Sequence, residues 1–265
     1  MMNLNCVSRV AFSINGTEIY WYGIIMCLSI IFAVAVAMIL CKLKKINTEL
    51  PLNIAIVIIP FGILFARLFA CLFDSSLSIN DFFNFRTGGM SIIGAIIGGG
   101  VALLIYCLIK KERRPLIYFD ILCSVLILAQ AIGRWGNFFN QELYGALIDD
   151  GSFFARFPFA VLIDGRYYQA LFFYESIANF IGFWIISHIF LKEKNEGYST
   201  AVYLTIYGVI RTILEPLRQQ EYILMMGNIA ISRLFSFLMI FVGVILFICL
   251  KIRDKKRKLY NEKNK

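Results

Sequence analysis

The chain has 265 residues, 60% of them hydrophobic, with a mean hydropathy of +0.75. Soluble globular chains sit nearer half apolar, so composition excludes an ordinary soluble domain and leaves the number of membrane crossings as the question. The net charge is +9, but the basic residues come in clusters, which points to membrane topology and not to nucleic-acid binding.

The first nineteen residues, MMNLNCVSRVAFSINGTEI, lack the basic, apolar, small-residue order of a cleaved signal peptide. Seven segments then approach the roughly 20 apolar residues that a spanning helix needs. They are residues 20–41, 52–73, 89–109, 116–133, 169–191, 199–217 and 229–250. The sequence therefore predicts an all-α integral membrane protein with seven transmembrane helices. The longest connection, 134–168, is too short for a soluble domain and carries its own turn signals, DDG and DGR. Residues 1–265 are expected to form a single polytopic membrane domain, with a basic cytoplasmic tail over 251–265. Cys6, Cys27, Cys41, Cys71, Cys107, Cys123 and Cys249 form no CxxC and no metal spacing, and read as buried small hydrophobes. No metal or cofactor is expected.

Orientation follows from CKLKK (41–45), KKERR (110–114), KEK (192–194) and KIRDKKRK (251–258), which mark every second connection and the C-terminus. The alternate connections carry Asp74, Asp81, Asp149, Asp150 and Asp164. The positive-inside rule then places the N-terminus outside and the C-terminus in the cytoplasm. The tail reads as a topology anchor and a contact for the lipid bilayer.

That topology gives each intramembrane polar residue a depth. Tyr22 opens the first helix at its outer end, and Arg67 lies in the outer third of the second. The third begins with the glycine-rich GGMSIIGAIIGGG, Arg134 and Asn137 close the fourth, and Glu175 stands near the outer end of the fifth. Arg211 and Glu215 lie in the outer half of the sixth, with Arg218 at its mouth, and Arg233 opens the seventh. Ionisable residues inside membrane helices are costly and usually face a bundle interior. Their shared level predicts one cavity in the outer part of the bilayer. Tyr207, Arg211, Glu215 and Arg218, spaced i, i+4, i+8, i+11, share one helix face. A helix-stabilising Arg–Glu pair accounts for part of this, but for neither the second arginine nor the tyrosine. Guanidinium groups bind phosphate bidentately and are weakly hydrated, so a lipid phosphate is the anion that fits. Gly94 and Gly98 form a small-xxx-small pair, read as helix packing before ligand contact.

The stretch GRWGNFFNQELYG (133–145) occupies the outer mouth of this cavity. It resembles the signature of the prolipoprotein diacylglyceryl transferases, roughly G-R-x-G-N-F-x-N-x-E-x-x-G, with every fixed position present. YWYGI (20–24), PFGILFARL (60–68), GGMSIIG (88–94), FYES (173–176) and YGVIRTILEPLRQ (207–219) are similar to further family segments. The resemblance implies seven spans, an outside N-terminus and a location in the bacterial cytoplasmic membrane, with the site towards the outer leaflet. It implies transfer of diacylglyceryl from phosphatidylglycerol to the lipobox cysteine thiol of a prolipoprotein signal peptide, releasing glycerol phosphate. Carried over by position, Arg134 binds phosphatidylglycerol, together with Asn137, Asn140, Gly145, Arg67 and Arg218. Arg211, Glu215, Tyr22, Tyr207 and Glu142 form the expected catalytic group. The attacked carbon is saturated, so the chemistry needs a thiolate and a stabilised departing phosphate, not an oxyanion hole.

Two positions depart from the family. Ile93 stands where many members carry histidine, and Gln169-Ala170 stands where His-Pro is common. The single histidine, His188, lies about 20 Å below Glu175 along the fifth helix, too deep to serve as the base. A transporter or flippase with an arginine-lined path, and a non-catalytic lipid-binding scaffold, are the competing readings. The first needs polar groups continuing to the cytoplasmic side, where the sequence offers little beyond Asp120 and His188. The second needs the arginines but not the signature carboxylate and asparagines.

Overall fold

The computed structural model describes residues 8–73, 77–84, 89–112, 114–219, 225–226 and 229–263. Cys6, Asp74, Gly88, Arg113 and the last two residues of the tail lie outside them. In chain order the described elements are β1 (Val10–Ile14), β2 (Thr17–Tyr20), α1 (Trp21–Leu43), α2 (Leu50–Phe73), α3 (Ile92–Ile109) and α4 (Pro115–Asn140). There follow β3 (Leu147–Ile148), β4 (Ala160–Ile163), β5 (Arg166–Gln169), α5 (Leu171–Lys192), α6 (Tyr198–Leu214), β6 (Met225–Met226), β7 (Ile229–Ala230) and α7 (Ile231–Lys263).

Helix dominates, and among the described residues five helices are long and apolar enough to cross a membrane: α1, α2, α4, α5 and α7. Their surfaces expose Ile31, Phe32, Ile56, Phe180, Trp184 and Phe241. Apolar residues all round a helix are the pattern of a multi-pass membrane protein, whose solvent is hydrocarbon. α3 offers a shorter apolar stretch, Ile93–Ile109. α6 has 17 residues, or about 25 Å against a hydrocarbon core of about 30 Å.

In three helices the boundaries differ from the sequence expectation for a clear local reason. α6 stops at Leu214 and not 217, because Pro216 has no N–H to continue the ladder and the chain tightens into a 3₁₀ turn over Glu215–Leu217. α4 starts at Pro115, a residue suited to a first helical turn, and runs on to Asn140, so most of the signature is helical. α7 continues through the basic tail to Lys263. There Asp254 accepts from the Tyr198 hydroxyl at 2.7 Å and the Asn195 amide at 2.9 Å, while Arg253 donates to the Glu196 carbonyl at 3.2 Å. Burial pushes the Asp254 carboxyl up, but the donors Tyr198, Arg253 and Asn195 outweigh it and hold the group below its ordinary range.

The strands are additions to the expected all-helical plan. β1 and β2 pair antiparallel across Asn15-Gly16, and β4 and β5 across Asp164-Gly165. Both turns carry positive φ at their two central residues (50° and 78°, then 47° and 76°), the geometry for which Asn-Gly and Asp-Gly are favoured. β5 is the centre of a three-stranded sheet in the order β3-β5-β4.

Packing divides the chain into two compact units. In Ala37–Leu122, α2 and α3 lie closely side by side. A Cβ added at Gly94 would strike the Phe65 carbonyl and lie 2.7 Å from Phe69 Cβ, so the small-xxx-small pair serves packing. The other unit runs up to Val36 and resumes at Cys123. Its larger core joins Ile127 and Leu128 of α4 to Phe183 and Ile186 of α5, Tyr203 and Tyr207 of α6 and Met239 of α7. Phe138, Val161, Ala170 and Phe172 form a second cluster, which seats the small sheet against the end of α4.

Gly94→Leu should lower stability by about 1–3 kcal/mol through overpacking against a backbone carbonyl. Gly100→Ala, where a Cβ meets nothing within 4 Å, should unfold at the wild-type temperature or above. Thermal unfolding of the two purified variants in detergent measures the contrast.

Candidate active site

The C-terminal turns of α4 are fixed on two sides. On one, Gly136 lets Tyr22 approach: a Cβ there would sit 2.7 Å from Tyr22 Cδ2. On the other, Trp135 Nε1 donates to Ser176 Oγ at 3.2 Å, and Ser176 donates to the Ala131 carbonyl at 2.8 Å, tying α4 to α5. After Asn140 the chain turns sharply. Gln141 and Leu143 both have positive φ (53° and 59°), a costly backbone for residues other than glycine and one that clusters at functional sites. Glu142 stands between them, and its Oε1 accepts from Asn137 Nδ2 at 2.9 Å and Asn140 Nδ2 at 3.3 Å. Gly145 then donates its N–H to the Gln169 carbonyl at 2.9 Å, joining the signature to the small sheet.

At the centre lies an ion cluster organised by Glu175, which is 2% exposed. Arg134 Nη2 is 2.7 Å from Glu175 Oε1, Arg218 Nη2 is 3.2 Å from Oε2, and Arg211 Nη1 is 3.6 Å from Oε2. Glu215, 1% exposed, is paired with Arg211 one turn away and lies 3.9 Å from Arg218 Nε. Its other oxygen accepts from the Ser232 hydroxyl at the start of α7. Three arginines against two glutamates leave one net positive charge among these five side chains. Arg211 Nη1 lies in ion-pair range of Glu175 but beyond hydrogen-bonding range, and it is buried with no hydrogen-bond partner among the described residues. The cluster thus contains an unused guanidinium donor in a low-dielectric setting, where such a donor is costly unless something accepts from it.

Most residues expected from the sequence fall here. Arg134, Arg211, Arg218 and Glu215 are in the cluster. Asn137 reaches towards it, with Oδ1 3.5 Å from Arg134 Nη1, and joins it to Asn140 and Glu142. Tyr207 is buried on α6, its ring stacked 5.8 Å from that of Tyr203. Tyr22 is 37% exposed and covers Gly136. Arg67 belongs to the Ala37–Leu122 unit and is wholly buried there. Its guanidinium donates to the carbonyls of Asp81 (2.6 Å), Asn84 (2.7 Å) and Gly89 (2.9 Å), holding a loop together. Arg233 is exposed. Sequence reasoning named Glu175 as a carboxylate at the right depth without giving it a role. Its isolation as the one acid of an apolar span was the signal for one. Ser232 escaped altogether, because a lone hydroxyl at a helix start has no distinguishing spacing.

Helices of membrane length carrying a buried, net-positive ion cluster define a multi-pass membrane protein with a polar site inside its helical core. A family model for prolipoprotein diacylglyceryl transferase matches residues 9–249. The phosphatidylglycerol–prolipoprotein diacylglyceryl transferase 1 of Clostridium perfringens is 37% identical over 260 residues, covering 95% of this chain and 98% of the relative. The enzyme of the same name from Finegoldia magna is 35% identical over 255 residues (95% and 97% covered), and that from Clostridioides difficile 36% over 253 (94% and 98%). The chain belongs to the prolipoprotein diacylglyceryl transferase family.

Ser232→Ala would leave one oxygen of the buried Glu215 carboxylate without its donor. Stability should fall by about 1–3 kcal/mol, and Ser232→Thr should recover most of it. Denaturant or thermal unfolding in detergent, run on both variants, checks this.

Proposed function

We propose that this chain transfers the diacylglyceryl group of phosphatidylglycerol to the cysteine thiol of a prolipoprotein lipobox. Family membership supports the reaction. The observation that carries the site assignment is the convergence of Arg134, Arg211 and Arg218 on Glu175, with an Arg211 N–H that no described residue accepts. A phosphodiester anion offers that donor its acceptor and offsets the surplus positive charge.

In this reading Arg134 and Arg218 hold the phosphate, with Asn137, Asn140 and Gly145 shaping the mouth. The thiolate sulfur attacks the glycerol carbon that bears the phosphate oxygen. A C–S bond forms, the C–O bond breaks, and the electron pair leaves on glycerol phosphate. Arg211 stabilises the charge that develops on that leaving group, oriented by Glu215, which Ser232 holds in turn. The thiol proton leaves through Tyr22, Tyr207 or Glu142. Arg67, expected from the sequence to bind the lipid, serves within its own unit to hold the loop whose carbonyls it gathers.

The membrane reading goes with this assignment: one polytopic domain with seven crossings, N-terminus outside, C-terminus cytoplasmic, in the bacterial cytoplasmic membrane. The site then opens to the outer leaflet, where lipid headgroup and signal peptide meet. The alternation of basic and acidic connections supports the orientation. The short α3 and α6 cross if the turns that flank them complete the span, as the 3₁₀ turn over Glu215–Leu217 extends α6.

Purified protein in detergent, given phosphatidylglycerol and a lipobox peptide, should form a thioether-linked product. Binding of the lipid without any product would overturn the reading. Arg134→Lys keeps the charge but loses the planar fork, and should lose about 10²-fold or more in kcat/KM, roughly 3 kcal/mol, while remaining folded. Turnover near wild type would reduce Arg134 to a helix-end anchor. His188 is exposed on α5, 13 residues from Glu175, or about 20 Å along the helix axis. His188→Ala should therefore keep most of its activity, with a pH–rate profile that superimposes on that of the wild type.

A further inference from the structure

The antiparallel register of α4 and α5 can be read from two contacts. Arg134 meets Glu175. Seven residues further along each helix, Ile127 meets the Gly182 position, where a Cβ would lie 2.7 Å from Ile127 Cδ1. Gln130 and Asn179 stand between these contacts, four residues from the upper pair and three from the lower on both helices. The register brings them to one level, a single helical turn beneath the ion cluster. α6 adds Tyr203, whose hydroxyl accepts from Gln130 Nε2 at 3.0 Å and which lies one turn beneath Tyr207.

This layer is polar and unsatisfied. Asn179 is 0% exposed, and neither its Nδ2 nor its Oδ1 meets a hydrogen-bond partner among the described residues. Gln130 Oε1 is likewise buried and unpartnered. Leaving three such atoms dry inside a membrane protein costs several kcal/mol by general estimates, roughly 1–3 for each. The group that relieves them must both accept, from Asn179 Nδ2, and donate, to Asn179 Oδ1 and Gln130 Oε1. An anion cannot donate to the two oxygens, and a metal cation would repel the amide N–H. Water does both, and buried water typically bridges about three otherwise unsatisfied groups.

We infer that Gln130, Asn179 and Tyr203 form a water-binding layer beneath the arginine–carboxylate cluster. Asn179 lies on the same face of α5 as Glu175, so this water hydrates the inner side of the hub and makes Asn179 a positioning residue for it. That consequence rests on the proposed function. The water site itself does not.

X-ray hydroxyl-radical footprinting of the intact protein in ¹⁸O-water tests the site, because radicals formed from a buried ordered water label the side chains beside it. Tyr203 should be labelled several-fold faster than Phe190, which is equally buried on α5. Labelling of Tyr203 at the Phe190 rate would overturn the proposal. Asn179→Leu, close in volume, should remove most of the Tyr203 labelling and raise the KM for phosphatidylglycerol several-fold, with a smaller change in kcat. If that variant fails to fold, Gln130→Leu supplies the same readouts. Unchanged labelling in the folded variants would also sink the idea. Lost labelling with an unchanged KM would leave the water site standing and overturn its link to Glu175.

Discussion

One buried carboxylate shared by three guanidinium groups organises this protein. A charge this deep is tolerable only when paired and hydrogen-bonded, and Glu175 is paired with arginines from α4, α6 and the turn after α6. The reciprocal holds too: three arginines within reach of one another repel unless an anion sits among them. Glu175 therefore determines which side chains can share the site, and removing it would disperse them. With Glu215 it neutralises most of the positive charge but not all. A cluster held together internally and still short of negative charge suits a ligand that arrives as an anion and leaves as a more highly charged one.

The backbone serves that cluster. Arg134 and Glu175 face each other because α4 and α5 run antiparallel in a register fixed by small residues and by the bonds among Trp135, Ser176 and Ala131. Glu142 reaches Asn137 and Asn140 because the chain accepts left-handed backbone at Gln141 and Leu143. Glu215 stands where Pro216 ends the α-helix, so the same proline that shortens α6 places a carboxylate against Ser232. The signature is thus three things at once: a helix end, a strained turn and the first bond to a small sheet.

Much of this was legible beforehand, and the reasons are specific. Seven helices were readable because long apolar runs have few alternatives in a membrane. Arg134, Arg211, Glu215 and Arg218 were readable because charges are rare in such runs, so depth alone grouped them. The strands at β1–β2 and β3–β5 were missed: runs of two to five residues carry little periodic signal beside twenty-residue helices, although DGR had marked one of their turns. Arg67 shows the limit of the depth argument. It lies in the second helix as expected, yet depth does not reveal that its guanidinium donates to loop carbonyls within its own unit. Glu175 was visible, but its role as the common partner depends on which faces of three helices meet, and one sequence does not contain that information.

In the proposed reaction the same cluster bears on how the thiol is activated. Isoleucine at 93 can neither donate nor accept a proton, and the single histidine is far along α5. A thiol with a pKa near 8.5 is a few per cent ionised at neutral pH without help. Net positive charge nearby favours the thiolate over the thiol, and the same charge favours the departing phosphate over the diester. A cation that stabilises both the nucleophile and the leaving group lowers the barrier at each end of an in-line displacement. A dedicated base would help only the first. In the proposed reaction, electropositive pre-organisation, maintained by Glu175 and Glu215 so that it neither disperses nor closes completely, takes the place of a dedicated base. On that proposal a hydroxyl or carboxylate carries the proton away, and Tyr22 and Glu142 flank the Gly136–Asn137 turn of α4.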